Sequence, residues 1–153
     1  ITTDKTGIIL HNRGTNFRVE EGHPNCIEGL KRPLHTIIPG MVLDHNGLSS
    51  LSYGVMGGQY QPVGQVHVLN NILDFEMSPQ QAITFPRAFH FNNIYKLEKE
   101  VSKEIKDGLS KIGHNVVHID ETHGGGQAIQ IDRLKGKLIG GSDPRKDGYA
   151  KGY

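Results

Sequence analysis

The sequence predicts an α+β fold, with helices layered on a mostly antiparallel sheet. Strand-like runs fall towards both ends of the chain, and amphipathic helical periods fall mainly between them. Twenty glycines among 153 residues imply many turns and few long helices. The length suits one domain with a real core, expected to span residues 1–153. A formal net charge of +1 gives no electrostatic footprint for nucleic acid or an anionic membrane. No apolar run reaches membrane-spanning length, and no signal-peptide pattern opens the sequence. A single cysteine, Cys26, excludes an intrachain disulfide framework and fits a reducing, cytoplasmic setting. It reads as a small packed residue rather than a nucleophile.

In chain order, Gly7-Ile8-Ile9-Leu10 predicts a short buried strand. Residues 18–33 carry no period and predict a long irregular loop, a kind of segment that is often functional. Thr36–Leu43 predicts a strand whose Pro39 demands an edge position or a bulge. Asp44-His45-Asn46-Gly47 has the residues of a hairpin turn, and Leu48–Tyr53 forms the returning strand. Pro62–Phe75 predicts a helix whose apolar face contains Val63, Val66, Leu69 and Leu73, widened by Val68 and Ile72. Ser78-Pro79-x-Gln81 is a capping-box start for a second helix, which must end near Phe85, before Pro86. Ile94–Leu97 predicts a strand. Ser102–Ile112 predicts a helix, stopped by Gly113. Asn115–Ile119, Ala128–Ile131 and Lys137–Ile139 predict strands, the last two joined at Lys135-Gly136.

The most informative stretch is Ser52-Tyr53-Gly54-Val55-Met56-Gly57-Gly58-Gln59-Tyr60, where a strand gives way to a helix through glycines. Two adjacent glycines there can aim successive N–H groups at one point, which suits an anion or a developing oxyanion. A tight connection without chemistry has the same residues. Nine histidines invite a metal, but their spacing makes no ligand set; His114 and His118 straddle a helix end and a strand. Gly124-Gly125-Gly126 lacks a following helix, so a flexible loop is expected rather than a phosphate site. In Ser142-Asp143-Pro144-Arg145, Asp143 can take turn hydrogen bonds and Arg145 can pair with a carboxylate, tying down a C-terminal turn.

An ordered set of motifs carries a resemblance across nearly the whole chain. It runs from Gly7-Ile8-Ile9-Leu10-His11-Asn12-Arg13 through Lys31-Arg32-Pro33-Leu34, Gly57-Gly58 and Asn70-x-Ile72-x-Asp74-Phe75. It continues with Ala82-Ile83-x-x-Pro86-Arg87, Gln127-Ala128-Ile129, Gly141-Ser142-Asp143-Pro144-Arg145 and Asp147-Gly148-x-Ala150-x-Gly152-Tyr153. This set resembles the small subunit of the γ-glutamyltransferases. The resemblance implies an N-terminal-nucleophile hydrolase, a four-layer αββα sandwich of which this chain supplies part. It implies a proenzyme that cuts itself to expose a threonine nucleophile, whose acyl-enzyme passes to water or an amine. Thr2-Thr3 is not that nucleophile, because the residues before Gly7 resemble a stretch other than the cleavage junction. The resemblance thus implies that the nucleophile lies outside this chain. The implied partners are the large subunit of the same proenzyme and a small-molecule γ-glutamyl or acyl-amide substrate. No cofactor and no metal are implied.

Residue by residue, Gly57 and Gly58 match the family's oxyanion-hole glycines. His35 and Thr36 stand where many members have two serines that bind the substrate's α-carboxylate. Asn16 stands where the transferases usually have an Asp for the α-ammonium, and Arg13 occupies a polar position of the same subsite. A neutral Asn16 forfeits a charge-assisted contact worth about 1.5–3 kcal/mol when desolvated, and Arg13 repels an ammonium. The expected acyl group therefore carries a distal anion and little positive charge, and the residues His35-Thr36 and Gly54-Val55-Met56-Gly57-Gly58 resemble the γ-glutamyltransferase-like or cephalosporin acylase-like branch. The competing expectation is a non-catalytic binding relative that kept the pocket.

Overall fold

The computed structural model describes residues 2–153. The backbone packs as two compact units, one ending at Ile37 and the other comprising Ile38–Tyr153.

The first unit holds little regular structure: a 3-10 turn at Arg13–Asn16 and two isolated bridges, Thr2 with Ile9 and Arg18 with Cys26. The expected strand Gly7–Leu10 does not form. Gly7 turns at φ 66°, and Ile8, Ile9 and Leu10 are exposed. An apolar run becomes a strand only where a neighbour satisfies its backbone, and among the described residues this run has one bridge, to Thr2, and one side-chain acceptor, Thr6 Oγ1. The irregular loop is pinned at its neck, where Arg18 donates its N–H to the Asn25 carbonyl and accepts from Ile27 N–H, both at 2.9 Å.

The second unit contains two sheets. The larger has the order β1-β2-β6-β7 and is antiparallel throughout, with β1 at Gly40–Leu43, β2 at Ser49–Met56, β6 at Gly125–Asp132 and β7 at Lys137–Ser142. β1 begins only after Pro39, lies on the edge, and slips register between Val42 and Leu43. Pro39 lacks the N–H that a longer strand would need. The hairpin turn forms as expected: Asp44 Oδ1 accepts from Asn46 N–H and Leu48 N–H, both at 2.9 Å. β2 overruns its expected end at Tyr53, because β6 supplies partners as far as Met56↔Gly125. The same pairing corrects the loop expected at 124–126: Gly125 and Gly126 are buried strand residues.

The smaller sheet has the order β3-β4-β5, with β3 at Ala88–Phe91, β4 at Ile94–Glu98 and β5 at Val116–Ile119. β3 and β4 form a hairpin through Asn92-Asn93, both at positive φ, the two-residue turn that suits strand twist. β5 returns parallel to β4 after the crossover helix α3, Lys103–Lys111.

Helices α1, Gln61–Leu73, and α2, Pro79–Thr84, pack on one face of the larger sheet. α2 starts on the full capping box at Ser78 and Gln81 and stops at Phe85, as its sequence requires. The face of α1 differs from expectation. Gly64, Val68, Asn71 and Ile72 are buried, while Val63, Val66 and Leu73 are 47%, 57% and 53% exposed. Gly64 decides the rotation: its missing side chain admits the Tyr60 ring and Val55, which a Cβ would meet at 2.5 Å and 2.9 Å. Leu51, Val55, Tyr60, Val68, Ile72, Ala82, Ile83 and Ala128 form the core between helices and sheet. The opposite face of the sheet leaves Met41, Ile129 and Leu138 exposed.

Candidate active site

Four of the expected binding residues lie in the first unit. Arg13 Nη1 donates to Thr36 Oγ1, leaving the threonine proton free for an acceptor. Asn16 Nδ2 donates to the Leu34 carbonyl at 2.8 Å, so its Oδ1 remains an acceptor. The Asn16 carbonyl in turn accepts from Asn25 Nδ2. His35, between Leu34 and Thr36, is exposed. Arg13, Asn16 and Thr36 are thus joined by hydrogen bonds through the 34–36 segment, although some twenty residues of loop separate them in sequence.

Gly57 and Gly58 belong to the second unit. They follow the last β2–β6 pair and open a 3-10 turn, Gly58–Tyr60, that runs directly into α1. Both are left-handed, at φ 140° and 57°. A Cβ on Gly57 would sit 3.0 Å from Gly124 Cα and 3.3 Å from the Tyr60 ring, so the turn requires glycine there. A Cβ on Gly58 would meet nothing within 4 Å. Among the described residues neither amide donates to a backbone carbonyl.

Behind this turn lies a buried ionic network that the sequence did not disclose. Arg87 Nη2 donates to Asp143 Oδ2 at 2.7 Å and to the Ile83 carbonyl at 2.9 Å, and Nη1 donates to the His123 carbonyl at 2.7 Å. Asp143 Oδ2 also accepts from Gly126 N–H at 2.6 Å. Glu98 accepts from the N–H groups of Arg87 and His123 and from Arg145 Nε at 3.0 Å. Burial alone would push the Asp143 carboxyl up, but the Arg145 and Gly126 amides and the Arg87 guanidinium outweigh it and hold the carboxyl below its ordinary value. Glu98 is held low in the same way, burial being outweighed by Arg145 and two backbone donors. Arg145 was expected to find a carboxylate. That Glu98 would supply it, from the charged run Glu98-Lys99-Glu100, carries no local signal.

Gly57 also lines a cleft of about 380 Å³, together with Tyr60, Phe89, Phe91, Lys96, Glu121, His123, Gly124 and Lys146. Tyr60 stacks on His123 with ring centres 5.4 Å apart and meets Phe89 edge-on at 5.5 Å. Burial pushes the His123 imidazole below its ordinary value and the Tyr60 phenol up to about 12. Both rings are therefore neutral near pH 7. Among the described residues no group of three or more His, Cys, Asp or Glu side chains is placed to hold a metal ion.

The family model for gamma-glutamyltranspeptidase matches residues 1–153. The glutathione hydrolase-like YwrD proenzyme of Bacillus subtilis is 36% identical over 99% of this chain and 30% of its own length. The oxamate amidohydrolase proenzyme of Klebsiella pneumoniae is 31% identical over 97% of this chain and 29% of its own. The chain thus spans under a third of the length of these relatives. Among solved structures, cephalosporin acylase from Bacillus halodurans superposes with a TM-score of 0.87 at 36% identity, over 97% of this chain and 28% of that one. A mutant gamma-glutamyltranspeptidase from Helicobacter pylori superposes with a TM-score of 0.85 at 30% identity, over 95% and 86%. The α+β fold is accordingly that of these N-terminal-nucleophile hydrolases, and the chain belongs to the gamma-glutamyltranspeptidase family.

Proposed function

We propose that this chain is the greater part of the small subunit of an amidohydrolase that cleaves γ-glutamyl or related dicarboxylic amides through a threonine acyl-enzyme. The threonine and the large subunit lie outside the chain on this reading. The amide C–N bond breaks as the threonine oxygen takes the acyl group, the amine leaves with a proton, and water or an acceptor amine releases the acyl group. Gly57 and Gly58 stabilise the oxyanion of each tetrahedral intermediate. Thr36 and His35 donate to the distal carboxylate of the acyl group, and Arg13 holds the Thr36 hydroxyl by donating to its oxygen. Asn16 offers a neutral acceptor where an ammonium would otherwise be bound.

The observation that carries this reading is the Gly57-Gly58 turn. Both amides lie beyond the ladder and are free of backbone carbonyls among the described residues, and a side chain on Gly58 would project into open space. Coverage supports the subunit assignment: the chain accounts for 86% of the matched H. pylori chain but 28% of the acylase chain.

Two measurements test the proposal. The intact mass of the expressed full-length protein should resolve into two chains, the smaller beginning with threonine. One uncut chain without turnover would remove the nucleophile. Replacing Gly58 with valine should lower kcat about 10²-fold or more in a folded, processed enzyme. Undiminished kcat there would remove the oxyanion role.

A further inference from the structure

An amide has two halves, and a cleft that opens beside its oxyanion site must receive one of them. We propose that the cleft between Gly57, the Tyr60–Phe89–His123 rings and the two lysines Lys96 and Lys146 is the subsite for the amine half. It would select amines that carry a flat apolar body and a carboxylate. The inference rests on the oxyanion role given above to Gly57-Gly58.

The chemistry of the walls separates the two halves. A γ-glutamyl or glutaryl group is a flexible aliphatic chain that offers no plane to an aromatic wall. The wall here is aromatic, its accessible part made by Phe89, Phe91 and His123 over a buried Tyr60. Tyr60 meets Phe89 edge-on, Phe89 stacks on Phe91 with centres 5.7 Å apart, and His123 closes the set. Phe91 lines the cleft and is nearly half exposed overall, so it offers surface on which a ring or flat apolar group would pack. The Tyr60 ring and His123 are held by the core and by the Lys96 carbonyl, which lies 3.2 Å from His123 Nε2. The platform is therefore formed before anything binds.

Charge at the rim points the same way. Lys96 projects from β4 and Lys146 from the turn after β7, while Glu121 is the single acid lining the cleft among the described residues. One positive charge is left over for an anion. Lys146 is directed there by its stem. A Cβ on Gly125 would come within 2.5 Å of the Lys146 Cγ and 3.0 Å of its Cε, so the lysine stem lies across a strand that only glycine leaves bare. An ammonium on a stem laid along the backbone loses less freedom on binding than one on a free stem.

The test uses the full-length, self-processed enzyme and two acyl donors that share one acyl group, an acyl 4-nitroanilide and its 3-carboxy analogue. The native enzyme should prefer the carboxylated donor in kcat/KM. Lys146→Gln should lower that preference about tenfold, and Lys146→Arg should restore it. A preference unchanged in both Lys146→Gln and Lys96→Gln would overturn the proposal. Binding of 4-aminobenzoate against aniline, followed by saturation-transfer NMR, reads the subsite without any acyl chemistry. If neither donor is hydrolysed, the acyl reading fails by itself. Binding of 4-aminobenzoate that is lost in Lys146→Gln would still uphold the amine subsite, and absence of binding would overturn it.

Discussion

Asp143 is fully buried beside a fully buried Arg87, and although Asp143 also meets Arg145 Nη1 at 3.3 Å, the Arg87 guanidinium has Asp143 as its one paired carboxylate among the described residues. Removing one partner of such a pair costs about 3–5 kcal/mol, because the survivor keeps its burial and loses its compensation. Asp143→Ala should therefore lower the thermal unfolding temperature of the assembled enzyme sharply, well beyond a substitution at exposed Asp147. The pair also sets a pH dependence. The Asp143 and Glu98 carboxyls are held below their ordinary values in the folded chain. Their contribution is complete above the ordinary carboxylate range and is lost as pH falls through the depressed folded values. Denaturant midpoints measured on acidification should fall less steeply in Asp143→Asn than in the native enzyme. At Asn16 the expected effect is on specificity. Asn16→Asp should raise kcat/KM for a γ-glutamyl anilide relative to a glutaryl anilide by about tenfold, since only the former carries an ammonium. The gain is modest for two reasons: Arg13 pairs with the new charge, and the aspartate can no longer donate to the Leu34 carbonyl. A native enzyme that already favours the γ-glutamyl anilide widely would contradict this account of the pocket.

At the scale of the element, two helical glycines make opposite forecasts. Gly108 in α3 has open space where a Cβ would point, so Gly108→Ala should stabilise by about 0.5–1 kcal/mol through helix propensity. Gly64 in α1 lies against Tyr60 and Val55, so Gly64→Ala should destabilise, with overpacking of about 1–3 kcal/mol outweighing the same propensity gain. Thermal melts of the two variants should move in opposite directions. Gly64 also shows where the sequence was legible and where it was not. The capping box at Ser78 and the Asp44–Gly47 turn are local devices, complete within four residues, and both read correctly. Of the face expected for α1, Val68 and Ile72 are buried but Val63, Val66 and Leu73 are not: apolar period favours all five, while the true contact is chosen by a small residue beside a large ring. β3 was missed although its turn, Asn92-Asn93, was in plain view: Phe89 and Phe91 alternate over too short a run to register. The glycine turn at 57–58 was legible as a strand-to-helix turn, but the cleft beside it is built from rings and lysines scattered between Tyr60 and Lys146. Only the fold brings these together.

Across the whole molecule, apolar surface is left uncovered. Met41, Ile129 and Leu138 share the bare face of the larger sheet, and Val63, Val66 and Leu73 line the outer side of α1. In a four-layer sandwich a second sheet covers the first of these faces. On the proposed reading the rest of the proenzyme supplies that cover, so residues 1–153 expressed alone should aggregate and co-expression with the remaining polypeptide should rescue solubility. A soluble, monomeric fragment in gel filtration would count against that assembly. The ionic network has a further consequence that concerns translation. Arg87 leaves the ribosome 56 residues ahead of the carboxylate that will neutralise it, and β7, which completes the larger sheet, emerges in the same late interval. Until then the nascent polypeptide cannot bury its guanidinium without stranding a charge, so it is held short of the native state. Messages cut short before the codon for Asp143 should yield products that proteases clear rapidly, whereas losing only the last few residues should spare the fold.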